Sequence, residues 1–151
     1  MPNTKQELID ITRKSAVIHG IDPQLLLALC HHESAGLRWS AFRYEPAFYD
    51  KYVDAALKLH NPTEAHAQAI SWGLGQVMGL VARELGFKGI DLSELLDPEV
   101  GTYWAAKKLK RCLSMKNQDI RLALLAYNGG SNPKYPDLVL AHFDKYPNLV
   151  S

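Results

Sequence analysis

Glu33 is the residue best placed by its neighbours to do chemistry. It ends the run Leu25-Leu26-Leu27-Ala28-Leu29-Cys30-His31-His32-Glu33-Ser34, whose six leading apolar residues fit a helix buried on every side. Free carbonyls at a helix end carry partial negative charge, and apolar walls disfavour ionisation, so a carboxyl there holds its proton more tightly than in water. That is the requirement for general acid catalysis near neutral pH. Taken alone, the segment fits a solvent-exposed glutamate at a helix end better.

Two downstream segments shift the balance. In Gly73-Leu74-Gly75-Gln76-Val77-Met78 the glycines let a backbone approach a ligand just before a helix, and Gln76 brings an amide donor and acceptor. In Ala126-Tyr127-Asn128-Gly129-Gly130 a helix ends with a hydroxyl and an amide beside two glycines. Singly, each is explained by a glycine-rich turn or an Asn-Gly helix stop.

The elements that must position these groups read as helices throughout. Residues 3–19 carry apolar side chains at helical spacing and close at Gly20; Asp22-Pro23 then opens the helix that carries Glu33 and ends near Gly36. Asn61-Pro62 opens a short helix through about Ala69, and Asp97-Pro98 a longer one through about Met115. Val77 to Leu85 reads as a helix stopped by Gly86, Asp91 to Leu96 as one turn, Ile120 to Tyr127 as a helix, and Pro136 to Tyr146 as the last. No strand alternation, internal repeat or low-complexity linker is evident, so an all-α fold is expected.

Residues 37–60 are harder to read. Trp39, Phe42, Tyr44, Phe48, Tyr49 and Tyr52 crowd together with Arg43, Glu45 and Asp50 among them. Two accounts fit equally: a sugar-binding cleft, where pyranose C–H faces pack on aromatic rings, or a satellite hydrophobic cluster under a long loop.

With 151 residues the chain is the size of one domain, taken here as 1–151. Its 17 basic and 16 acidic residues lack the excess expected of a nucleic-acid binder, and the basic group Lys107-Lys108-Lys110-Arg111 reads as a solvated helix face. No stretch is long and apolar enough for stable membrane insertion, and the start, Met1 to Glu7, does not read as a signal peptide. Cys30 and Cys112 fall in apolar helical patterns, where a free cysteine is a small hydrophobe; a disulfide between them is the less favoured alternative. Cys30, His31, His32, His60 and His66 prompt a metal reading, but there is no His-Glu-x-x-His spacing, so neither zinc nor any other cofactor is expected.

In their order, the three segments resemble the soluble lytic transglycosylase family, which has a goose-type lysozyme-like helical fold with a glycan cleft. The resemblance covers about residues 22–130: Glu33-Ser34 at the end of a buried helix, a counterpart of Gly-Leu-Met-Gln at Gly73 to Gln76, and Ala126-Tyr127-Asn128 followed by glycine. It implies a single lysozyme-like domain that cleaves the β-1,4 bond between N-acetylmuramic acid and N-acetylglucosamine in peptidoglycan and leaves 1,6-anhydro ends. Glu33 would be acid and then base, Ser34 would set the helix end, Gln76 and Met78 would line the subsites, Tyr127 would bond near Glu33 or the acetamido group, and Asn128 would hold the glycan. Tyr44 and Glu45 belong to the expected substrate-binding set as well.

Departures from the pattern touch the subsites and not Glu33. Gly75 stands where methionine is common, Ile70-Ser71 replaces a small Gly-Ala pair, and the Glu-Thr-rich segment that ends many members has no counterpart. The stretch from Ser34 to Gly73 is longer than usual, and its Arg43-Tyr44-Glu45-Pro46 resembles segments of phage cell-wall lytic enzymes, which points to an endolysin or virion-borne enzyme, kept in the host cytoplasm or virion until release and acting as a monomer on the wall. A hydrolytic muramidase would need a second carboxylate to activate water, for which Glu45, Asp50, Asp54 and Glu64 are available. A glycan-binding module without turnover would have no use for a burial-sensitive acid.

Overall fold

The structure, a computed structural model, describes residues 3–147. Helix α1, Lys5–His19, opens with a reciprocal cap between Thr4 and Glu7 and stops at Gly20 in the left-handed conformation. Helix α2, Pro23–Glu33, starts where Asp22 accepts from the Gln24 N–H, and every side chain from Leu25 to Cys30 is buried. Its apolar residues go all round because α1, the long helix α7, Pro98–Met115, and the C-terminal segment pack on different sides of it.

Small residues bring α7 close to its neighbours: Gly101, Thr102, Ala105 and Ala106 are buried together with Leu109, Cys112 and Leu113. A buried hydroxyl pair ties α7 to α1. Thr102 Oγ1 donates to the Pro98 carbonyl, which leaves Ser15 to donate to Thr102 across 2.8 Å. Helix α8, Ile120–Tyr127, packs on α7, and helix α9, Tyr135–Leu140, closes over α2 and α8. The expected last helix is thus in two pieces, α9 and a 3-10 turn at Phe143–Lys145.

Between α2 and α7 the chain builds the opposite wall of the cleft. It runs through β1, Phe42–Tyr44; α3, Pro46–Tyr52; α4, Ala55–His60; α5, Pro62–Gln68; β2, Ile70–Trp72; β3, Val77–Met78; and α6, Gly79–Leu85, followed by a 3-10 turn at Leu92–Leu96. The three strands form an antiparallel sheet in the order β1-β2-β3, with Arg43 opposite Ser71 and Ser71 opposite Met78. Here the structure corrects the reading from sequence, which found no strands and began a helix at Val77. Strands of two or three residues are too short to show alternation, and Val77 and Met78 are drawn into the sheet by β2. The domain is otherwise helical, as expected. Among the described residues no helix is long and apolar enough to cross a membrane, and Cys30 and Cys112 are buried free thiols.

Candidate active site

Glu33 sits where the backbone is most constrained. Ser34, 1% exposed, ends α2 by donating its hydroxyl to the Cys30 carbonyl across 2.6 Å. The next three residues, Ala35, Gly36 and Leu37, all have positive φ, of 52°, 94° and 68°. Two of them carry side chains that disfavour this region, and the burial of Leu37 in the core holds the turn in place. The chain is therefore turned away sharply just after Glu33, leaving its carboxyl at the edge of the cleft.

The cleft has a volume of about 480 Å³ and is lined by Glu33, Arg43, Glu45, Phe48, Ser71, Gln76, Met78, Lys108, Tyr127 and Asn128. It brings together Glu33, Glu45, Gln76, Met78, Tyr127 and Asn128 of the residues singled out from sequence; Ser34 lies behind it. Tyr44 does not join them. It is on the opposite face of β1 from Arg43, with its ring near Tyr49 and His66. Both accounts of the aromatic stretch thus hold in part: Phe48 and Tyr49 pack on Val53, Ala65 and Ala69 in a satellite cluster, and Phe48 also lines the cleft.

The partner of Glu33 is a residue that sequence reasoning missed. Tyr135, only 2% exposed, donates its hydroxyl to Glu33 Oε1 at 2.5 Å, and its ring meets the His32 ring edge-on at 5.3 Å. Tyr127, expected near Glu33, instead donates to the Gly75 carbonyl at 2.8 Å. The close approach of α7 explains the glycine where methionine is common: a Cβ on Gly75 would lie 2.3 Å from the Ala105 Cβ and 3.0 Å from the Tyr127 hydroxyl. Gln76 is also turned inward. Its amide nitrogen donates to the Ala41 and Gly73 carbonyls and its oxygen accepts from Ser71, so it braces the loop with the groups expected to face ligand.

Lys108 corrects the reading of its basic group as a solvated face. Its ammonium lies 3.9 Å from the centre of the Tyr127 ring and donates to the Tyr127 carbonyl at 2.9 Å, satisfying a terminal carbonyl of α8 from inside the cleft. Lys107, by contrast, lies over the Trp104 ring.

Burial raises the Glu33 pKa above the usual carboxylate value. The Tyr135 hydrogen bond and the Lys108 charge pull it back without cancelling the rise. Burial, the nearby Glu33 and Tyr127 charges and the bond to Glu33 push the Tyr135 phenol well up, so it stays a donor. Burial lowers the Lys108 pKa. The site thus holds a protonatable acid fixed by a neutral donor, with a cation nearby.

Of the four candidates for a second carboxylate, only Glu45 reaches the cleft, where it is paired with Arg43 at 3.0 Å. Glu64 is held by Arg83 at 2.7 Å and by Gln68, and Asp54 caps α4 through the Ala56 and Leu57 N–H groups. Asp50 is exposed on α3 and does not line the cleft. The histidines serve packing or hydrogen bonding where their contacts are seen: His31 bonds the Tyr146 hydroxyl and stacks near His142, and His66 bonds the Pro62 carbonyl.

A helical fold with a partly buried carboxyl lining a polar cleft is that of a lysozyme-like glycosidase. Residues 10–138 match the family model described as the Transglycosylase SLT domain, and the chain belongs to that family. It is accordingly a peptidoglycan lytic transglycosylase. Comparison with curated proteins finds no match, and neither does comparison with solved structures.

Proposed function

We propose that Glu33 alone performs the proton transfers of a non-hydrolytic cleavage between N-acetylmuramic acid and N-acetylglucosamine. Its carboxyl gives a proton to the glycosidic oxygen as the C1–O bond breaks, and the acetamido oxygen of the muramoyl sugar stabilises the oxocarbenium-like carbon. The muramoyl 6-hydroxyl then attacks C1 and returns its proton to Glu33, closing a 1,6-anhydro ring with no water consumed and Glu33 restored. The observation that carries this reading is that, of the two carboxyls lining the cleft, Glu33 is raised in pKa by burial and fixed by the Tyr135 hydroxyl, whereas Glu45 is held in an ion pair with Arg43. Tyr135 steadies the carboxylate that forms midway. Met78 and Asn128 contact the glycan, while Ser34, Gln76 and Tyr127 hold the walls in shape.

Mass spectrometry of soluble products from digested peptidoglycan tests the proposal. Muropeptides lighter by one water are expected; reducing-end products only would overturn it. In that event Glu45, which shares the cleft, would be the base for water, and Glu45→Gln would remove most activity. For the transglycosylase the same change costs little. The resemblance of Arg43-Tyr44-Glu45-Pro46 to phage lytic enzymes favours an endolysin or virion-borne enzyme that reaches the wall on release and works as a monomer.

A further inference from the structure

The cleft does not end at Asn128. A second hollow of about 520 Å³ shares Phe48, Met78, Lys108, Tyr127 and Asn128 with the first, and the two form one groove. Tyr52, Val81, Arg111 and Ser131 line this extension.

Its charge differs from that of the first hollow. Around Glu33 two acids face two bases, with Glu45 and Arg43 paired to each other. In the extension the charged lining residues are Lys108 and Arg111, with no carboxylate beside them. These cations stand three residues apart on α7, on adjoining positions of one helix face, where like charges repel. Among the described residues Arg111 makes no ion pair or hydrogen bond, and Lys108 donates only to the Tyr127 carbonyl. Glu33 is near enough for Lys108 to feel its charge but forms no ion pair with it. Two unneutralised cations in a groove call for an anion from outside.

The sugar backbone offers hydroxyls and acetamido groups, which are neutral. The lactyl ether of each muramoyl unit leads to a stem peptide bearing free carboxylates, which is the anionic part of the same polymer. We propose that the extension is a subsite for the acidic stem peptide, with Arg111 gripping a carboxylate and Lys108 adding a point charge deeper in the groove. A guanidinium presents paired N–H donors that match a carboxylate, and Tyr52 and Phe48 offer apolar surface to the peptide's alkyl groups. Resting on the transglycosylase reading, the inference adds a preference for peptide-bearing, uncapped strands.

Glycan oligomers bearing stem peptides, with carboxylates either free or amidated, test it. The wild type is expected to cleave the free-carboxylate form with kcat/KM about five- to ten-fold higher, the size of one partly exposed charged hydrogen bond. Arg111→Glu should reverse the preference and Arg111→Lys should keep part of it; Arg111 is exposed, so neither threatens the fold. Equal cleavage of both forms by the wild type, or an Arg111→Glu ratio equal to that of the wild type, overturns the subsite alone. Cleavage of neither form would overturn the transglycosylase reading and the subsite with it.

Discussion

Tyr135→Phe isolates one hydroxyl at Glu33, the carboxyl we propose as the acid. The ring is almost fully buried and keeps its edge contact with His32, so the fold should be retained. What is lost is the 2.5 Å hydrogen bond to Glu33 Oε1. A hydrogen bond to a charged group contributes about 1.5–3 kcal/mol, and Glu33 acquires its full charge as the glycosidic bond breaks. If that stabilisation is realised in the transition state, kcat falls by about 10- to 150-fold where Glu33 starts protonated. The same bond lowers the Glu33 pKa, so its removal raises that pKa further, and the descending limb of the pH profile moves to higher pH. The deficit should therefore be greatest at acidic pH and narrow as pH rises. Initial rates on purified glycan strands across the pH range measure both effects. A constant deficit with an unmoved limb would show that the hydroxyl does not act through the Glu33 charge, and wild-type rates would show that Tyr135 acts only by packing and refute the assignment.

Glu33→Gln should lose at least about 10²-fold in activity, since the amide keeps the shape and the Tyr135 contact but cannot give a proton. It should also melt higher than wild type at pH 7: the folded Glu33 pKa lies above its unfolded value, so stability is lost as pH rises through the folded value, and the advantage should vanish on acidification towards pH 4. A lower melting point at pH 7 would contradict the burial argument. Gly75→Met should destabilise the protein by about 1–3 kcal/mol in urea unfolding, because the first side-chain atom already meets Ala105 at 2.3 Å; an unchanged midpoint would mean that α7 yields freely. Stability should also fall as pH drops below about 6.5, the unfolded histidine value. The pKa values of His31 and His142 are lowered, by burial first and then by neighbouring positive charge, so the unfolded chain binds more protons there. Thermal melts of His142→Gln should show a flatter pH dependence than wild type, and an equal slope would exclude His142 as a source of it.

Local signals in the sequence carried the frame of the site. Asp22-Pro23 marked where α2 begins, the unbroken apolar run gave its burial, and Asp97-Pro98 marked α7, because caps and prolines act within a turn of where they stand. The three segments that suggested the family do meet at the cleft. Tyr135 left no such mark. It lies 102 residues from Glu33 and meets it only because α9 folds back over α2. Lys108 was hidden for a related reason: in a helix with cations at four of five positions from 107 to 111, periodicity does not reveal which one finds a carbonyl to bond across the cleft.

The contacts of Gln76 and Tyr127 show how a polar side chain can be brought to the cleft without its type fixing what it does there. An amide beside glycines looks ready for ligand, yet the turn those glycines create leaves the Ala41 and Gly73 carbonyls within reach, and Gln76 satisfies them. Tyr127 does the same for the Gly75 carbonyl, at a point where a side chain on residue 75 would collide with α7. These polar residues stabilise the loop that forms the cleft wall, so their removal should disturb substrate positioning as a consequence of lost shape. Glu33 differs in kind, because its one hydrogen-bond partner among the described residues is a donor that holds the acid without neutralising it. In the proposed mechanism that difference separates the group that reacts from the groups that give it a place to react.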